Sequence, residues 1–163
     1  MTPRDQKPPR SGTRWAVLIL LLAGAALCLL AARPMLPALL HGGDYTGTVA
    51  LNWGVSLPCS SGCAYEADSG ASFHGDGTRY HVLEYPENSP LETALSWQEA
   101  PVETSRAAEM TQLLEELSVP ETERPDMERC RWYTARDPDD ARNRLYLLLS
   151  PAGTRLFILE SFF

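Results

Sequence analysis

The longest apolar run of the chain lies near its start, where the 18 residues Trp15–Ala32 carry no charge. As a helix, this run would be about 27 Å long, close to the roughly 30 Å hydrocarbon core of a bilayer. Arg14 and Arg33 bound it, and four of the five basic residues among the first 40 lie on its N-terminal side. Because positively charged flanks stay in the cytoplasm, the pattern predicts a cytoplasmic basic arm, 1–14, and a transmembrane signal-anchor helix, 15–33, that binds the lipid bilayer.

A cleaved secretory signal is the main alternative, since it also has a basic region followed by an apolar one. The apolar run is longer than the 7–15 residues usual for such signals, and Leu30 stands where a small residue is preferred before Ala31-Ala32. A buried helix of a soluble domain is a third interpretation. Both leading interpretations export the rest of the chain. We expect a single-pass protein of the cell membrane, with its N-terminus cytoplasmic and its C-terminal domain extracytoplasmic.

The segments that follow the apolar run alternate between chain breakers and short strand-like stretches. Residues 34–44 contain prolines and glycines and predict a juxtamembrane linker. The Thr- and Val-containing segment Tyr45–Trp53 predicts a first strand. Two further strands, Ala71–His74 and Thr78–Tyr85, are predicted to form a hairpin around Gly75-Asp76-Gly77, because glycines beside an aspartate suit a tight turn.

Helical patterns occupy the middle of the domain. Ser89 and Pro90 are a cap and a first-turn residue for a short helix to about Trp97. A longer helix, Thr104–Leu117, is predicted by an apolar stripe at helical spacing. The stripe consists of Ala107, Met110, Leu113, Leu114 and Leu117. Such a stripe is expected to pack on a sheet.

The C-terminal third predicts three strands, Cys130–Arg136, Asn143–Leu149 and Thr154–Phe162. The last two are joined by Ser150-Pro151-Ala152-Gly153, which suits a type I turn with a left-handed exit. In both of these strands, apolar side chains lie on both faces, which is typical of central strands covered on two sides. The order of elements predicts an α+β domain over residues 45–163, with a mostly antiparallel sheet and two helices packed on one face.

The net charge of the chain changes sign just after the predicted span. Residues 1–40 carry a net charge of +4, whereas residues 41–163 carry −11 and contain no lysine. This asymmetry indicates two environments rather than one globule. A domain this acidic repels phosphate backbones, so nucleic acid is not an expected partner.

Cysteines are the first candidates for chemistry. Cys28 lies in the predicted span, and Cys59, Cys63 and Cys130 lie in the exported domain. These three are disulfide candidates: Cys59 and Cys63 would close a small loop, whereas Cys130 paired with either would close a loop of about 70 residues. The Cys-x₃-Cys spacing does not fit a redox motif, and a second thiol pair at zinc-ligand spacing is absent from the sequence.

Metal ligation and catalysis have weaker signals. His74 and His81 could face each other across the predicted hairpin with Asp76 at its tip, which would place two imidazoles and a carboxylate together. The alternative is a pair of ordinary strand residues around a turn, and this is the interpretation we adopt, so no metal or cofactor is predicted. The sequence contains no serine elbow, Walker loop, HExxH helix or dinucleotide fingerprint, and no catalytic residue is predicted.

A resemblance adds to this picture. Phe73-His74-Gly75-Asp76-Gly77, followed by Tyr80, Trp97 and the closing hairpin, resembles uncharacterised small membrane-anchored or exported bacterial proteins. The resemblance covers roughly residues 70–163. It implies an export-associated α+β domain and no catalytic residue.

Three functions remain open from the sequence. The favoured one is a non-catalytic binding or regulatory module of the cell envelope, acting on an envelope protein partner or on an extracellular ligand. The second is an accessory subunit of a membrane complex, associating through its span at the small-residue patch Ala23-Gly24-Ala25-Ala26. The third is an exported hydrolase or metal-dependent enzyme.

Overall fold

The computed structural model describes residues 44–70 and 76–163, which belong to the compact unit Pro37–Phe163. The predicted arm, the predicted span and most of the linker lie outside these described residues, as does His74. Within the described part of the chain, no helix has the length and apolar character needed to cross a membrane. The elements in chain order are α1 (Tyr45–Trp53), β1 (Gly62–Asp68), β2 (Gly77–Glu84), α2 (Leu91–Ala94), α3 (Thr104–Glu116), a 3-10 turn (Glu121–Glu123), β3 (Arg131–Arg136), β4 (Arg144–Leu149) and β5 (Arg155–Phe162).

The five strands form one antiparallel sheet in the order β1-β2-β5-β4-β3. Strand β5 lies at its centre and pairs with β2 along its whole length, from Gly77 opposite Phe162 to Glu84 opposite Arg155. This confirms the α+β class and the antiparallel sheet that the sequence predicts. The closing hairpin is also confirmed: Gly153 N–H donates to the Ser150 carbonyl at 2.9 Å, and Gly153 has a φ of 71°.

The central strands are covered on both faces, as predicted. On the first face, which we name the α3 face, Met110 and Leu114 of α3 pack with alternate apolar residues of the sheet. On the second, the α1 face, Val49 of α1 and Leu91 of α2 pack with the other set. The two sets are, for the α3 face, Tyr80, Val82, Tyr146, Leu148, Phe157 and Leu159, and for the α1 face, Leu83, Leu145, Leu147, Leu149, Leu156 and Ile158.

The prediction that two helices lie on one face is therefore wrong. Helices α2 and α3 pack on opposite faces, and α1 joins α2. The physical reason lies in β4 and β5, whose residues are buried on both sides. Each face needs its own cover, because apolar area left in water costs about 25 cal/mol per Å².

The prediction of a first strand over Tyr45–Trp53 is also wrong, since this segment is helix α1. Its ends carry strong helix signals. The Asp44 side chain accepts from the Thr46 N–H at 3.4 Å, and Gly54 adopts a left-handed φ of 65° while its N–H donates to the Ala50 carbonyl. An aspartate N-cap and a glycine after the last turn define a helix more firmly than three β-branched residues define a strand.

The partner of β2 differs from the predicted one. Strand β1, Gly62–Asp68, lies in a stretch for which no strand was predicted, and it pairs with β2. The predicted strand Ala71–His74 lies wholly within residues 71–75, outside the described residues. Farther along the chain, α3 ends within one residue of its predicted bound, whereas α2 is shorter than the predicted helix.

Candidate functional site

A surface pocket of about 390 Å³ lies where the start of α1 meets β1 and β2. Cys63, Glu66 and His81 line it together with Tyr45. We refer to this feature as the Cys63 pocket and define it by those four residues. One wall is closed by Asp44, whose carboxylate accepts from the Ser60 N–H at 2.6 Å and from the Ser60 hydroxyl at 3.0 Å.

A β-bulge brings the pocket's side chains to one face of the sheet. In a regular strand, Cys63 and Glu66 would point to opposite faces, because successive residues alternate. In β1, however, Cys63 pairs with Leu83 and Tyr65 pairs with Val82, so the register shifts between them. Glu66 then pairs with His81, which itself lies opposite Ile158 of the α1 face. One ligand-type atom of each of Cys63, Glu66 and His81 lies within 4.8 Å of the other two.

His81 is a neutral imidazole held against a tyrosine ring. Its ring stacks on Tyr45 with 3.3 Å between ring centroids and 24° between planes. Burial, and to a smaller extent the positive charge of Arg79, lower the pKa of His81 to about 4, and Asp68 opposes the shift. The imidazole is therefore uncharged at neutral pH, and its 4.0 Å contact with Glu66 is not an ion pair there.

Cys63 is a protonated thiol at neutral pH. Desolvation raises the pKa of its thiol above the usual value, and the negative charges of Glu66 and Asp44 raise it further. The Sγ donates to the Tyr65 carbonyl at 3.2 Å rather than to His81. A nucleophilic cysteine needs a lowered pKa and a basic partner, so this pair lacks both properties of a thiol catalyst.

A buried carboxylate fixes α1 above the pocket. Glu160 of β5 is 0% exposed and accepts hydrogen bonds from the Tyr45 hydroxyl and the Trp53 indole N–H. Burying a carboxylate is costly unless donors satisfy it, and here both donors come from the two ends of α1. The Glu160 contacts thus set the position of Tyr45, and Tyr45 in turn sets the plane of the His81 ring.

The predicted metal trio is only partly brought together. His81 belongs to the Cys63 pocket, but its neighbours there are Cys63 and Glu66. Asp76 precedes β2 and is exposed, and the five-residue separation from His81 corresponds to about 16 Å along a strand. His74 lies outside the described residues.

Sequence reasoning missed Glu66, Tyr45 and Glu160. A signal existed only for Glu160, which interrupts the apolar run of β5 after Leu159. An acid inside a two-sided buried strand is rare unless it is paired, so it could have been singled out. Glu66 carried no such signal in a domain this acidic.

The three described cysteines are free thiols, with Cys59 and Cys63 exposed and Cys130 buried. Cys130 belongs to the core of the α3 face, whereas Cys63 pairs beside Leu83 on the α1 face. The sheet lies between these two residues. The predicted pairings, Cys59 with Cys63 and Cys130 with either of them, stay predictions.

No protein-family model matches the chain, and no curated protein or solved structure matches it significantly. Function therefore has to be argued from the residues of the Cys63 pocket. The resemblance described above stays an expectation, and most of its Phe73–Gly77 motif lies outside the described residues.

Proposed function

We propose that this chain is a membrane-tethered, extracytoplasmic binding module of the cell envelope that acts without catalysis of its own. Residues 15–33 hold it in the bilayer, and the acidic domain binds an envelope ligand or protein through the Cys63 pocket. The tether rests on the uncharged run Trp15–Ala32 and on the +4 and −11 charges of the two parts of the chain.

The Cys63 pocket is the observation that carries the binding function. It is a concave site with a few convergent polar groups on a rigid sheet, which is the usual form of a ligand site. Its thiol and imidazole are both uncharged at neutral pH, so they favour holding a ligand over attacking one. The Glu160 contacts to α1 keep the site preformed.

Crosslinking in living host cells followed by mass spectrometry tests this function. The full-length chain is compared with a version whose residues 1–40 are replaced by a cleavable signal, and each is paired with a Glu66→Gln variant. Capture of one partner by both forms, weakened by Glu66→Gln, is the expected result. Glu84→Gln is the matched control, because Glu84 is an exposed acid on the neighbouring strand β2.

Loss of the partner together with the native span would favour the accessory-subunit function instead. In that case Gly24→Leu should abolish association, because the small-residue patch would no longer permit close helix approach. Under the binding-module function, Gly24→Leu leaves association intact.

The extracytoplasmic location has its own test at Cys59, which is an exposed thiol. In intact cells treated with a reductant, a membrane-impermeant maleimide should label the wild type. The double variant Cys59→Ser, Cys63→Ser should not be labelled. Labelling that requires cell lysis would overturn the location.

A further inference from the structure

The bulge in β1 creates a mixed ligand set whose members come from two neighbouring strands. Cys63 and Glu66 come from β1 and His81 comes from β2. The thiol, one carboxylate oxygen and one imidazole nitrogen lie within 4.8 Å of one another. Sulfur, nitrogen and oxygen donors of these three side chains are the protein ligands that zinc uses.

We propose that Cys63, Glu66 and His81 bind one Zn²⁺ ion in the Cys63 pocket, with a fourth coordination position open to the pocket. The site deepens the proposed binding function, because it names the ligand class of the same pocket.

The donor atoms are close to the spacing that zinc requires. A tetrahedral zinc, with Zn–S near 2.3 Å and Zn–N or Zn–O near 2.0–2.2 Å, places its donors about 3.3–3.6 Å apart. His81 Nδ1 and Glu66 Oε2 are already 4.0 Å apart. The Glu66 side chain is 76% exposed, so it can rotate inward by the remaining fraction of an ångström without disturbing the core.

The histidine is prepared for ligation by its surroundings. Its side chain is only 12% exposed, and the Tyr45 ring stacks on it. Tyr45 is held by Glu160, so the stack acts as an outer support of the kind that orients metal ligands.

Cys63 supplies the anionic ligand. On binding, the thiol S–H bond breaks, the proton passes to the buffer, and the thiolate forms the Zn–S bond. The Asp44 and Glu66 carboxylates line the same pocket, so a bound divalent ion would have negative groups beside it.

The fourth position lies on the pocket side. Asp44 does not occupy it, since its carboxylate already accepts from Ser60 and caps α1. Three protein ligands with an open position are typical of zinc sites that also hold a water or a ligand. The same site would then hold an acidic or sulfur-containing group of a partner.

Metal titration of the purified full-length chain in detergent tests the proposal, with a phosphine reductant keeping Cys63 free. We expect one Co²⁺ per chain, a near-ultraviolet sulfur-to-cobalt charge-transfer band, and displacement of Co²⁺ by Zn²⁺. Cys63→Ser should remove the band. Glu66→Gln and His81→Phe should weaken Zn²⁺ binding by at least about 10–100-fold, the range found when only the support of a metal ligand is removed.

Matched variants keep this test specific. Cys59→Ser and Glu84→Gln should leave affinity unchanged, as should His74→Ala. His81→Phe keeps an aromatic ring against Tyr45, and Glu66 is exposed, so both variants should fold like the wild type, which thermal unfolding in a chelator checks. A band retained in Cys63→Ser, or lost in Cys59→Ser or His74→Ala, would overturn the proposed ligand set.

The metal site and the binding function fail in different ways. Metal bound as expected without any captured partner would leave the site standing and contradict the binding function. A partner whose capture is weakened by Glu66→Gln, with no metal bound by the purified chain, would overturn the metal site alone.

Discussion

The two faces of the sheet differ in what their helices cover. On the α3 face, Met110 and Leu114 contact an apolar surface, and the ion pair between Arg144 and Glu109, 2.6 Å apart, lies at a half-exposed rim. On the α1 face, the helix lies over the buried carboxylate Glu160 and beside the Cys63 pocket. The first face contributes mainly stability, whereas the second holds polar groups at a stability cost.

Stability and the proposed binding thus depend mainly on opposite faces of one sheet. Apolar packing tolerates small displacements, but a hydrogen bond to a buried carboxylate fixes direction as well as distance. The hydrogen bonds from α1 to Glu160 therefore fix the positions of Tyr45 and His81 more precisely than apolar contacts alone would. Three predictions follow from this contrast between the faces.

Truncating the α3 face should have the largest effect on stability. Leu114→Ala removes a fully buried side chain and leaves a cavity, so we expect the free energy of unfolding to fall by about 2–5 kcal/mol. Metal affinity of the folded variant should be unchanged, because the sheet separates Leu114 from the Cys63 pocket. Urea denaturation measures the loss, and Leu51→Ala at an exposed position of α1 is the control. Equal losses for the two variants would contradict the assignment of α3 as a core helix.

The same substitution on each face should distinguish a buried carboxylate from a rim carboxylate. Glu160→Gln replaces one acceptor oxygen by an NH₂ group and leaves Tyr45 or Trp53 without an acceptor, which should cost about 1–3 kcal/mol. Glu109→Gln breaks the half-exposed pair with Arg144 and should cost at most about 1 kcal/mol. Chemical denaturation of both variants checks the order, and a reversed order would contradict the role of Glu160.

The smallest expected effect is a pH dependence on the α1 face in the metal-free chain. The pKa of His81 is about 4 when folded and near 6.5 when unfolded, so the unfolded state binds the extra proton between these values. Stability from this group is complete above pH 6.5 and is lost as pH falls toward 4. We expect about 1–2 kcal/mol less stability at pH 5 than at pH 7 from His81.

The groups facing His81 are Tyr45, Glu66, Arg79 and Asp68, so the comparison needs a variant in which only the imidazole is lost. His81→Phe should flatten this part of the stability profile measured with a chelator present. An unchanged slope between pH 5 and pH 7 would contradict the buried, neutral state of His81.

The C-terminal half was the more predictable part of the fold. Helix α3 and strands β3, β4 and β5 follow strong apolar periods, and Ser150–Gly153 has the residues its turn requires. The N-terminal part of the domain was harder, because Thr46, Thr48 and Val49 suggested a strand while Asp44 and Gly54 capped a helix. Local propensity is weak, and burial of Thr46 and Val49 against the sheet decided the outcome.

The candidate site, like the fold, was predictable from the sequence only in part. By itself, the sequence determined the charge division, the apolar run, the α+β class and the two-sided central strands, because each depends on composition or on a period along the chain. Only the tertiary structure decided that Cys63, Glu66 and His81 meet. A bulge and a strand register are set by pairing between distant segments, and a shift of one residue moves a side chain to the opposite face.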